Sequence, residues 1–166
     1  NGISKMKKIA TVIIAIFAFN SIKGQKVEVF NLADSVIKVG AIMYLPVEFG
    51  YNNAKLKLDS NRVLFFKKVS SLIQDNPENI FCVEYHTTSM GDSVLNKKLS
   101  DRRALEIMKV LAGYNPSITK RLNFEGLGGK EPLVPFEYLN QLGLSNLEKR
   151  NLNLLLNVRA VLRVAK

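Results

Sequence analysis

Asp92–Lys109, "DSVLNKKLSDRRALEIMK", decides the fold, because its apolar residues recur at helical spacing. At about 100° per residue, Ala104, Ile107, Met108 and Leu111 fall at i, i+3, i+4 and i+7 and make one apolar face. That pattern predicts an amphipathic helix packed on a core. Its two adjacent arginines then have different fates. Arg102 lies almost opposite the apolar stripe, which predicts a solvated charge within reach of Glu106 four residues on. Arg103 lies at the margin of the stripe, and Asn96, seven residues earlier, shares nearly the same azimuth. An amide and a guanidinium on one edge can cap nearby backbone carbonyls or can bind a ligand. On this helix alone capping is the commoner use.

Working outward, "NIFCVEYH" (79–86) reads as a short buried strand before this helix. Further upstream, Asp59 or Ser60 can cap a helix whose face is Phe65, Phe66, Val69, Leu72 and Ile73, and Pro77 in "DNPEN" cannot continue it. Residues 27–46 alternate in the strand manner, most clearly in "IKVGAIMYLPVEF", with room for one or two strands. Downstream, the central helix stops near Gly113-Tyr-Asn-Pro116, and "RLNFEGLGG" reads as a strand entering a glycine turn. "KEPLVPFEYLNQLGLSNLEKRN" reads as an irregular connection with room for a short helix, and "LNLLLNVRAVLRVA" as a closing strand. The order β-α-β-α-β-(α)-β predicts a two-layer α/β sandwich, a mixed sheet with helices on one face.

The 166 residues are 47% hydrophobic, enough for one core of moderate size. Asn1–Lys5 reads as an upstream remnant. Residues 6–25, "MKKIATVIIAIFAFNSIKGQ", combine a basic start, an apolar run from Ile9 to Phe19 and a polar exit, the pattern of an export signal. That run falls short of the roughly 20 apolar residues a membrane span needs. Residues 26–41 then form an N-terminal strand extension, and 42–166 the main domain. Four of 24 basic residues and none of 14 acidic ones precede position 25, so the mature chain carries 20 minus 14, or +6. A basic exported domain meets anionic envelope polymers and head groups rather than nucleic acid.

Cys82 is the one cysteine, which excludes an intramolecular disulfide, and its apolar strand predicts a buried small hydrophobe. His86 is the one histidine, so no zinc cluster is legible. No serine elbow, phosphate loop or triad is present either. The sequence predicts no enzyme, no cofactor and no metal.

Several motifs together resemble the peptidoglycan-binding C-terminal domain of the outer-membrane protein A (OmpA-like) family. That family's Gly-His-Thr-Asp, Gly, Asn-x-x-Leu-Ser-x-x-Arg-Ala pattern is matched in register by His86-Thr87, Gly91, Asn96, Leu99-Ser100 and Arg103-Ala104. Gly126, Gly128 and Pro132 match its Gly-x-Gly-x-x-x-Pro turn, Phe49–Leu56 its opening segment, and Asn157-Val-Arg159 its terminal Asn-Arg-Arg. The resemblance covers residues 42–166 and implies a periplasmic or outer-membrane domain bound to the cell wall. It further implies that Arg103 holds the carboxylate of a diaminopimelate stem peptide, with Asn96 beside it. A guanidinium suits that role because it meets a carboxylate with two hydrogen bonds, where a lysine offers a point charge. The implied ligand set is Arg103, Asn96, Thr88, His86 and Arg159.

Three departures accompany the match. Thr88 stands where the family's aspartate accepts the ligand ammonium, Gly50 where the opening segment often has an acid, and Val158 where a terminal arginine is usual. Asp92 and Glu48 are candidate substitutes for the missing carboxylate. Peptidoglycan is therefore the first expected partner. The other reading is a degenerate OmpA-like subunit that contacts outer-membrane or other envelope proteins and has lost wall binding.

Overall fold

The computed structural model describes residues 27–34 and 36–166. Residues 1–25, read above as an upstream remnant and an export signal, lie outside the described residues. Strand β1 is Ile42–Leu45, helix α1 Ser60–Asp75, β2 Phe81–His86, α2 Ser93–Tyr114, β3 Leu122–Gly128, α3 Phe136–Asn140, α4 Asn146–Asn157 and β4 Arg159–Val164. The four strands form one mixed sheet in the order β1-β4-β2-β3. β2 runs parallel to β3 and antiparallel to β4, so the chain's last strand lies between its first two.

Strand alternation divides the sheet into two chemically different faces. Phe81, Val83 and Tyr85 of β2 join Ala160, Leu162 and Val164 of β4 in the main hydrophobic core, together with Phe66, Val69 and Ile73 of α1 and Ala104, Ile107 and Leu111 of α2. Both long helices therefore cover one face, as the sequence predicts. Cys82, Glu84 and His86 alternate onto the outer face, opposite Arg163, Val161 and Arg159 in the antiparallel register.

Caps set the helix starts. Asp59 accepts from the Arg62 N–H, and Asp92 accepts from the N–H groups of Val94 and Leu95. The paired glycines seat α2. A Cβ at Gly126 would land on the backbone of Ser100 and Asp101, so the third strand lies against the helix with no room for a side chain. Gly126 N–H donates to Asp101 and Gly128 N–H to Ser100, which fixes α2 along and across the sheet. The Leu-Ser and Gly-x-Gly motifs are thus two halves of one contact.

Two readings of the sequence need correction. Among the described residues of 27–41 there is a single bridge, Val29 to Ile42, where a strand extension was expected. The stretch "LNLLLN" read as strand is the C-terminal half of α4, and β4 begins only at Arg159. Ser145 and Glu148 form a reciprocal capping box that starts this helix, a Ser-x-x-Glu spacing that the sequence carries ahead of the leucine run. The irregular connection therefore holds two helices.

Candidate functional site

Arg103 is the centre of the best-formed polar site. It projects from α2 beneath the turn that follows Phe49, and is only 8% exposed. Its Nε donates to the Asn53 carbonyl at 2.8 Å, its Nη2 to the Gly50 carbonyl at 2.9 Å, and its Nη1 to the Tyr85 hydroxyl at 3.0 Å. The guanidinium carbon lies 5.0 Å from the Phe49 ring centre and 5.3 Å from that of Tyr85, and the two rings meet edge to face. Burial pushes the Tyr85 phenol up despite the neighbouring guanidinium, so the hydroxyl stays protonated.

No acidic side chain pairs with Arg103 among the described residues. Glu48 is engaged with Lys57 and Arg62 on the surface. Asp92 is exposed and caps α2. Asp101 pairs with Lys97. The two proposed substitutes for the family's aspartate are thus committed elsewhere.

Asn96 holds the loop ahead of its own helix. Its amide donates to the Met90 carbonyl at 2.7 Å and to the Thr88 carbonyl at 3.3 Å. Thr88 is buried, and its hydroxyl turns to the Met90 carbonyl at 3.4 Å. Gly129 closes the same loop from the other side, since a Cβ there would strike the backbone of Thr88 and Ser89. Arg102 is exposed and makes no ion pair with Glu106.

The structure separates the remaining two residues of the expected set. His86 follows Tyr85 on β2, so its side chain leaves the opposite face of the sheet from Arg103, and Arg159 is its cross-strand partner there. Arg159 donates to the carbonyls of Asn157 and Glu131. His86 is 2% exposed, with Nδ1 unpartnered and Nε2 3.8 Å from Glu84. Burial, with Arg159 adding to it, holds the His86 imidazole below its usual value against the pull of Glu84. These residues form an outer-face charge cluster distinct from the Arg103 site. Phe49 and Tyr85, absent from the expected set, are the walls of that site. Their only sequence signal is position, one in the opening segment and one just before the His-Thr pair.

No protein-family model matches the chain. Ninety residues, 54% of the chain, are 32% identical to outer membrane porin F of Pseudomonas aeruginosa. The chain spans about a quarter of that porin's length. Among solved structures it resembles the peptidoglycan-associated lipoprotein of Burkholderia pseudomallei, with TM-score 0.52 and 16% identity over 74% of this chain and 87% of that one. An outer-membrane protein of Borrelia burgdorferi gives TM-score 0.54 at 19% identity, covering 82% of this chain and all of that one. The periplasmic domain of Helicobacter pylori MotB gives 0.50 at 21%, over 74% and 72%. At such identities the structures speak for the fold, and the motif register and the porin match speak for the sequence. Both point the same way: the chain has the fold of these envelope domains, and its motifs resemble those of the OmpA-like family.

Proposed function

We propose that this domain is a non-catalytic component of the periplasm that associates with peptidoglycan, taking the carboxylate of a diaminopimelate stem peptide on Arg103. One observation carries the reading, a guanidinium 8% exposed with no carboxylate beside it among the described residues. A charge withdrawn from water and left without a counterion costs several kcal/mol by typical estimates, and an arriving anion recovers that cost. Three of its five N–H groups are held by Gly50, Asn53 and Tyr85, so the side chain is fixed in place with two donors left for a ligand. Similarity to a peptidoglycan-associated lipoprotein and to an outer-membrane porin supports an envelope location and a cell-wall partner. With Thr88 in place of an acid, the ligand ammonium would meet neutral oxygens only.

Binding of a diaminopimelate stem peptide and of purified sacculi, with melting temperatures alongside, tests this. Arg103→Ala is expected to weaken binding about ten-fold or more, Arg102→Ala to do little, and Thr88→Asp to strengthen it by a charge-assisted bond of about 1.5–3 kcal/mol. If the wild type and Thr88→Asp both stay folded and bind neither probe, the wall-binding reading falls.

A second reading rests on the same contacts. The Gly50 and Asn53 carbonyls already receive Arg103, which suits an arginine that only buckles a turn to a helix. On that reading the domain is a protein-interaction subunit of an envelope assembly. Arg103→Ala would then lower the melting temperature without any wall binding to lose.

A further inference from the structure

Helix α4 buries asparagines and turns three of its five leucines outward. Asn153 and Asn157 are fully buried, whereas Leu147, Leu154 and Leu155 are 69%, 52% and 77% exposed. The inversion has a local cause. Asn157 binds both backbone groups of Val134, accepting from its N–H and donating to its carbonyl, and its amide also donates to Asn153. A buried amide needs partners, and Asn157 finds them at residue 134, so the asparagine stripe turns inward there and the leucine stripe faces solvent. Leu147 and Leu154, seven residues apart, share one azimuth, with Leu155 beside them and exposed Arg150 on the margin. Glu148 is turned back into the capping box at the helix start, and Lys149 stands on the far side of the leucines.

We propose that this face rests on an anionic lipid surface. Projecting leucines with Arg150 at their margin suit a helix lying in a membrane interface. The charge of the whole body agrees with it: five of the 24 basic residues precede position 27, so residues 27–166 hold 19 basic against 14 acidic groups. A second copy of the chain fits less well. Three leucines fall short of the roughly 800 Å² per partner of a stable interface, and two-fold pairing of the helix would bring the Arg150 side chains together.

The chain contains no tryptophan, so one introduced indole reports its own surroundings. In the full chain, Leu154→Trp is compared with Leu64→Trp on exposed α1, against vesicles of phosphatidylglycerol mixed with phosphatidylcholine and against phosphatidylcholine alone. The expected result is a blue shift at position 154 and none at 64, larger with the anionic vesicles and reduced by salt. Adding Leu147→Ser and Leu155→Ser to the 154 reporter should weaken vesicle binding about ten-fold or more. No shift at 154, or an equal shift at 64, overturns the proposal. A shift that grows with protein concentration without vesicles assigns the face to a second copy instead, and equal shifts on neutral vesicles remove the anionic lipid from it.

Discussion

Arg163 and Arg103 serve opposite sides of one sheet and meet desolvation in different ways. On the outer face, Arg163 meets Glu84 through two hydrogen bonds, Nε to Oε1 at 2.5 Å and Nη2 to Oε2 at 3.0 Å. Burial alone would raise the Glu84 carboxyl, but His86 and Arg163 beside it outweigh burial and hold it below its ordinary range. That pair is closed and has nothing left to recognise. On the helix-covered face, Arg103 has two carbonyls, a hydroxyl and two aromatic rings, and no acid. The same side chain is structural where its charge is neutralised, and where only its geometry is satisfied it is the one the proposed function assigns to a ligand.

The largest effect should come from opening the closed pair. Arg163→Ala leaves Glu84, 6% exposed, without its partner, and is expected to cost about 3 kcal/mol in denaturant unfolding. The lower end of the usual range applies because the Arg163 side chain is one-third exposed. A loss under about 1 kcal/mol would mean that Glu84 is satisfied by water and that the contrast between the two faces is overstated.

Next in size is the unpaired arginine. Arg103→Lys keeps the charge but cannot span the Gly50 carbonyl, the Asn53 carbonyl and the Tyr85 hydroxyl together, so it should behave like Arg103→Ala in stem-peptide titrations. Full binding by the lysine variant would show that charge suffices and that the clamp on the turn is incidental.

Acid should separate the two faces further. The Glu84 carboxyl is held below 4.5 in the fold, so its contribution is complete above about that pH and drains away as pH falls through the folded value. His86 is also held below its ordinary 6.5, so its contribution is complete above that pH and declines as pH falls beneath it. Stability measured from pH 8 to pH 4 should therefore fall first below about 6.5, and His86→Gln should flatten that first slope. Retention of the slope in the variant would place the titrating group elsewhere.

Thiol labelling is a finer test of the outer face. Cys82 is half-buried in β2 rather than fully buried as its apolar run suggests, yet burial, with Glu84 and Glu125 adding to it, raises its thiol to about 11. Alkylation of the folded protein near pH 8 should be slow and should accelerate on unfolding. Arg163→Ala should slow it further, because Arg163 lowers that value. The smallest effect belongs to Arg102→Ala, within about 0.5 kcal/mol, since the side chain is exposed.

What the sequence determined by itself was the set of quantities that depend on near neighbours. The apolar spacing from Ala104 to Leu111 defined α2, Asp59 or Ser60 marked the start of α1, and β2 and β3 were legible as short apolar runs. The motif register around Asn96 and Arg103 carried the family resemblance because it records the contacts of α2 with Gly126 and Gly128. Tertiary structure decided the rest. Tyr85 and His86 are adjacent in the chain, yet the sheet sends one toward Arg103 and the other toward Glu84, so the expected ligand set divides. Leucine content argued for a strand at 152–157, and Val134, held by two hydrogen bonds of the Asn157 amide, goes with a helix that turns Leu154 and Leu155 outside. The Arg103 clamp is closed by carbonyls some fifty residues away in the chain. Spacing encodes which side of an element is apolar, but the partner of a buried polar group is set by which distant backbone the packing brings within 3 Å.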